Sequence, residues 1–408
     1  MSFPFSASPA PLGARGAAAA APRAASELAT GGHRGWAVAG LVAASTAVSL
    51  GVHWDIAWHR SIGRDTFWSP PHILIYLAAI GAGGMAAGLI FRTTFSRDAG
   101  LRGAAVRVLG FRGPLGAFVA AWGGAAMLTS APFDDWWHNA YGLDVKILSP
   151  PHVLLAIGIL GIHLGALVFV VVERNVAEGA RRRALDGLFL YVTGMVLIAL
   201  TTVVMERIGR PSMHLPGFFR VVALVAPGPL CLAGAGSDRR WAATAVAGVY
   251  TVFLCLLVWI LPLFPAEPKL GPVLYPVVAF VPPEFPLLLI LPALALDLAR
   301  RSSALGRLAP LRRALVLGGL FVAVFVPAQW LFAELLMSPL GRTRLLGTTY
   351  FDFRMPAEGL YRRYLFIRAP GGLHAGALFA GLGAAALCAV VTSWLGLRAG
   401  AWVRRLRR

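Results

Sequence analysis

Two short stretches of this chain hold carboxylates and imidazoles at matched spacings. One starts at His53 and carries Asp55, His59, Asp65 and His72; the other starts at Pro132 and carries Asp134, His138, Asp144 and His152. Aligned with one single-residue gap, they share nine of the 20 positions from His53 to His72. The matches are Asp55/Asp134, Trp58/Trp137, His59/His138, Gly63/Gly142, Asp65/Asp144, Ser69/Ser149, Pro70/Pro150, Pro71/Pro151 and His72/His152. Chance supplies about one match over such a length. The stretches therefore read as an internal repeat, with a period of about 80 residues.

Within each copy the Asp and the first His are four residues apart. If the preceding helix runs through them, they share a face. The Ser-Pro-Pro-His run is a helix start: Ser69 suits the cap, Pro70 the first helical position, and His72 then stands in the first turn. Ser149, Pro150 and His152 repeat this. Each helix–loop–helix unit brings one carboxylate and two imidazoles to one end of a hairpin. That is the donor set of a 2-His-1-carboxylate metal site, and it also suits proton capture. Asp65 and Asp144 are placed to orient imidazole N–H groups. His163, about three turns beyond His152 and on nearly the same face, extends the site inward as a relay or deeper ligand. The plainer reading makes the Ser-Pro-Pro runs only helix starts and the tryptophans interfacial anchors. It accounts for the Ser and Pro identities but not for the two histidines and first Asp of each copy.

The elements that position these residues follow from composition. Of 408 residues, 58% are hydrophobic and 13% charged, with mean hydropathy +0.71. Soluble domains carry roughly 25% charged residues. An ordinary soluble enzyme, a disordered chain and a nucleic-acid-binding domain are excluded. The composition asks for a lipid solvent and an all-α polytopic membrane protein. About ten segments are apolar over the length of a bilayer crossing: 36–58, 72–91, 114–131, 152–172, 185–204, 218–236, 241–263, 283–299, 314–337 and 373–396. The weakest is 273–299, which Pro276, Pro282, Pro283, Pro286 and Pro292 interrupt, so a re-entrant or kinked path is expected there. Residues 1–35 read as a disordered cytoplasmic tail, 36–172 as the duplicated hairpin region, 185–396 as the remaining membrane region and 397–408 as a basic tail.

The net charge of +19 belongs with topology. Counted by side, 24 of the 37 basic residues fall with the two termini, which predicts both termini in the cytoplasm and the Asp/His ends facing outward across a cell (inner) membrane. Cys231, Cys255 and Cys388 all lie in apolar stretches and form neither a disulfide framework nor a CxxC motif.

At its Asp/His residues the chain resembles the C subunit of copper membrane monooxygenases, the methane and ammonia monooxygenase family. That subunit carries an Asp-x3-His-x12-His metal motif at the membrane. Asp55, His59 and His72 match this spacing, and Asp134, His138 and His152 match it with one extra residue. The likeness covers about 20 residues per copy. It departs from the family in occurring twice and in a chain with more spans. The resemblance implies copper and oxidative chemistry.

Other residues extend the candidate set. Glu206, Arg207, Arg210 and His214 follow the fifth span and read as an interfacial ion-pair group or part of a site. His374 opens the last span as a ligand or a solvated helix-start residue. Glu334 is expected to carry protons or to pair with Arg342 or Arg344, and Asp297 to pair with Arg300 or Arg301. The long loop 338–372 reads as a lid or an interfacial segment. The expected function is a metal-dependent membrane oxidoreductase or hydrolase acting on a lipophilic substrate, with copper, iron or zinc bound. The alternatives are a transporter or metal-handling protein using the same residues for ion or proton capture, and a structural subunit. The expected partners are the bilayer and a lipophilic small molecule or metal ion, with no nucleic acid.

Overall fold

A computed structural model describes residues 17–63, 66–103, 105–142, 148–269, 277–348 and 374–407. Among the described residues, nine helices are long and apolar enough to cross a membrane. They are α1 (Ala17–Ser61, apolar from Gly35), α2 (Pro70–Phe95), α4 (Leu115–Tyr141), α5 (Pro150–Val176), α6 (Gly179–Val203), the broken pair α7 (Pro216–Val225) and α8 (Pro227–Gly236), α9 (Ala242–Ile260), α12 (Pro310–Met337) and α13 (Ala375–Val403). Helices α3 (Ala99–Gly103), α10 (Ile290–Ala299) and α11 (Ser303–Arg307) are shorter, and strands β1 (Val106–Val108) and β2 (Phe111–Gly113) form a small hairpin. By length and composition this is a helical, multi-pass membrane protein.

Two segments depart from regular spans or tails, the first where the sequence expects an interrupted path. The expected span 283–299 contains only the ten-residue α10, and its proline-rich approach is largely non-helical. Prolines remove backbone donors and bar a regular helix there. The structure supplies partners instead: Gln329 accepts a hydrogen bond from the Leu288 N–H at 3.0 Å, and the Tyr250 hydroxyl accepts one from Leu287 at 3.2 Å. At the other end of the chain, part of the expected tail is helical, because the α1 backbone begins at Ala17 within an alanine-rich run of high helix propensity.

The first half is a ring of four helices. Helix α1 packs on α2 and α5, and α4 packs on α2 and α5. Glycines permit the closest approach. A Cβ on Gly123 would lie 2.6 Å from the Ile162 nitrogen, and one on Gly165 would lie 2.6 Å from the Ala120 nitrogen. Lipid offers no hydrophobic drive for helix association, so small residues that maximise backbone packing are what hold α4 to α5. Helix α6 joins this ring to the second half through α1, α5 and α9, and α13 packs on α7, α8 and α12.

Candidate functional site

Helices α1 and α4 both end at a repeated glycine. Gly63 has φ +99° and Gly142 φ +86°, a region L side chains avoid, which accounts for the glycine identity in the repeat. The chain then turns, and α2 and α5 begin at Pro70 and Pro150 with Ser69 and Ser149 as caps, as the sequence predicts. Because the four helices alternate in direction, both turns fall at the same end of the ring.

At each turn the aspartate meets both histidines. Asp55 Oδ2 lies 3.7 Å from His59 Nε2, and Asp55 Oδ1 lies 3.3 Å from His72 Nε2. Asp134 Oδ2 lies 3.4 Å from His138 Nε2, and Asp134 Oδ1 lies 3.5 Å from His152 Nε2. The same oxygen faces the same histidine in both copies. In each hairpin the oxygen turned to the second helix, Asp55 Oδ1 or Asp134 Oδ1, is buried and accepts no hydrogen bond among the described residues. The serine caps do not bond backbone amides. The Ser149 hydroxyl is instead 2.9 Å from His152 Nδ1.

These separations are those of carboxylate–imidazole pairs. They are also close to the ~3.3 Å edge of a tetrahedron with bonds of about 2 Å. As placed, no group of three or more His, Cys, Asp or Glu among the described residues is arranged to hold a metal ion. Asp65 and Asp144 lie outside the described residues.

A buried polar chain runs inward beside the first hairpin. His53, a turn below the triad on α1, has Nδ1 2.8 Å from the Ser49 carbonyl and Nε2 3.3 Å from the Thr202 hydroxyl of α6. The Ser49 hydroxyl is 3.0 Å from Nε2 of the fully buried His163 on α5, whose Nδ1 is 2.8 Å from the Ile159 carbonyl. His163 thus lies inward of the turns, as its spacing implies, but its side-chain partner is α1 rather than the α4/α5 turn. His53, which has only Pro132 opposite it in the repeat, is the histidine that sequence matching passed over.

The two hairpins differ in what backs them. Beside α1 runs an apolar crevice of about 990 Å³, lined by Leu50, Trp54 and Leu74, by Phe253 of α9 and by Phe280. Its polar lining includes the Thr46 and Tyr191 hydroxyls, 2.7 Å apart. The segment after α9 closes the end nearest the first Asp/His turn: Val281 N–H donates to the Ser61 hydroxyl at 2.8 Å, and Lys269 N–H donates to the Ile62 carbonyl at 2.9 Å.

The remaining candidates sit in the second half. His214 Nε2 lies 3.0 Å from Glu334 Oε1, so the partner of Glu334 is a histidine rather than the expected arginines. Arg210 pairs with Glu284 at 3.8 Å, and Glu206 is exposed. His374 is the exposed cap residue of α13, with no side-chain capping bond. Asp297 pairs with Arg300 at 3.0 Å and also accepts from the Ala243 and Thr244 amides, so it caps α9 from a neighbouring helix. Most of loop 338–372, from 349 onward, lies outside the described residues. The chain matches no protein-family model, no curated protein and no solved structure.

Proposed function

We propose that this multi-pass protein, with both termini cytoplasmic, is a metal-dependent membrane oxidoreductase or hydrolase whose outward end carries two Asp/His/His sites. The observation behind this reading is the twofold occurrence of one aspartate with each oxygen turned to a different imidazole Nε2. Asp55, His59 and His72 would hold one ion, and Asp134, His138 and His152 the other. The donor set fits copper, iron or zinc, and each buried Oδ1, with no hydrogen bond among the described residues, faces an imidazole Nε2 at 3.3 or 3.5 Å. Closing either site requires the imidazoles to turn about the aspartate. A bound ion would supply Lewis-acid or redox chemistry. The chain's own residues orient the ligands, as Ser149 does for His152, and shelter a lipophilic substrate in the crevice beside α1. The crevice adjoins only the first hairpin, so the first site is read as the working one. The local likeness to the copper monooxygenase C subunit points the same way.

A second reading is ion or proton capture without catalysis. It draws on the buried chain Thr202–His53–Ser49–His163, which offers polar groups inward of the first site.

The test is metal content after detergent purification and incubation with Cu, Fe or Zn, for the wild type and for Asp55→Asn/Asp134→Asn. Retention of one ion by the wild type and its loss in the double variant supports the metal site. No retention of any of the three by the wild type overturns it. Flux of the retained ion into proteoliposomes would assign the protein to the second reading.

A further inference from the structure

The opposite, basic end of the protein holds a second cavity that none of the foregoing uses. It measures about 730 Å³ and is walled by Arg300, Arg313, Arg398, Arg404 and Arg405, and no acidic side chain lines it among the described residues. Several of these arginines are pre-set. Arg300 is bonded to Asp297 at 3.0 Å and lies against Gly234, where a Cβ would come within 2.9 Å of its guanidinium. Arg404 donates to the Ser237 carbonyl at 2.7 Å and to Asp238 at 2.6 Å, and Arg313 donates to the Gly306 carbonyl at 2.7 Å. Arg398 and Arg405 are exposed. Five guanidinium groups gathered from α10, α12 and the end of α13 repel one another, and two aspartates offset only part of that charge. Such a concavity is a place for an anion, and guanidinium forks match phosphate oxygens.

We infer that this cavity binds a phosphate-bearing anion, and that its source is an anionic phospholipid of the cytoplasmic leaflet. The apolar part of the lining argues for a lipid. Leu305, Leu397 and Trp402 share the wall with the arginines, and Trp402 is about half exposed at 49%. A headgroup phosphate among the arginines would leave its acyl chains against these side chains and the flank of α13. Basic pockets between membrane helices on the cytoplasmic side take anionic headgroups in this way.

The experiment is native mass spectrometry of the full chain in detergent with phosphatidylglycerol, with phosphatidylcholine as the zwitterionic control, and separately with inorganic pyrophosphate as a soluble source. Arg398→Ala/Arg405→Ala removes two exposed charges, of which Arg398 rests over Trp394 of its own helix at 5.7 Å, and Arg405→Gln is the milder form should the pair impair folding. Arg92→Ala/Arg97→Ala removes two charges at another part of the same end. The expected result is selective retention of phosphatidylglycerol, weakened about 30-fold by Arg398→Ala/Arg405→Ala and unchanged by Arg92→Ala/Arg97→Ala. Pyrophosphate binding that depends on Arg398 and Arg405, without lipid selectivity, would keep the phosphate site and overturn the lipid source. Equal retention of both lipids without pyrophosphate binding, or equal losses in the two double variants, would overturn the site altogether.

Discussion

The hydroxyl of Ser149 lies 2.9 Å from Nδ1 of His152, while its repeat counterpart Ser69 is buried and makes no hydrogen bond among the described residues. The two hairpins thus share their Asp/His geometry but not the group that fixes the second imidazole. Bonds to the far nitrogen of a ligand histidine set its tautomer and orientation, and losing one typically lowers metal affinity roughly 10–100-fold. Ser149→Ala, measured by chelator competition in an Asp55→Asn background, is expected to show a loss of that size. Ser69→Ala in an Asp134→Asn background is expected to leave affinity within about twofold. Equal effects in both would contradict the asymmetry.

The α4–α5 contact rests on backbone proximity. A side chain at Gly165 meets the Ala120 nitrogen, Cα and Cβ, all within 2.8 Å. None of these atoms swings aside as a flexible side chain would, so Gly165→Val forces the helices apart at a cost of about 1–3 kcal/mol. Gly81→Val, where nothing lies within 4 Å of an added Cβ, is the control. Thermal unfolding in detergent should show a lowered Tm for the first variant and little change for the second.

Arg174 and Asp186 form a buried ion pair at 3.1 Å, with Phe189 under the guanidinium and Ser237 donating to the other carboxylate oxygen at 2.6 Å. Without Arg174, Asp186 keeps Arg239 Nε at 3.6 Å and the Ser237 hydroxyl, so the loss is that of a charged hydrogen bond and its packing, about 1.5–3 kcal/mol. Arg174→Ala should therefore unfold at lower denaturant than wild type by that margin. In a double-mutant cycle, Arg174→Met/Asp186→Asn should be less destabilised than the sum of its single changes.

Asp238 lies between α8 and α9, and its hydrogen bond from Arg404 holds its carboxyl below the usual carboxylate range. A depressed folded pKa favours the folded state above the unfolded carboxyl pKa, and that contribution is lost as pH falls through the folded value. Asp238 is more than half exposed, so the contribution is under about 1 kcal/mol. Acid titration of thermal stability should show a shallower decline below about pH 4 for Asp238→Asn than for wild type.

Much of the hairpin region was legible from one dimension. Two proline runs after serine specify helix starts, and an i, i+4 Asp–His spacing specifies a shared face; the left-handed helix ends at the two matched glycines came from the structure. The first two are short-range rules of backbone geometry, and α1, α2, α4 and α5 obey them at Ser69, Ser149, Asp55 and Asp134. The apolar lengths of the spans follow equally from the thickness of a bilayer. The irregular path of the described part, 277–289, was legible from its prolines, though not which groups would satisfy it.

What depended on tertiary structure was every contact between residues distant in sequence. No spacing rule joins Ser49 to His163, His53 to Thr202, or Glu334 to His214, because those pairings are set by which helices become neighbours. The same holds for the crevice beside α1, which forms where the segment after α9 folds back onto Ser61 and Ile62. It holds too for the basic cavity, whose arginines come from three helices that are adjacent only in the folded bundle. Sequence determined the donors and the hairpins that present them. Helix packing decided that the first hairpin is backed by an apolar crevice and a buried polar chain.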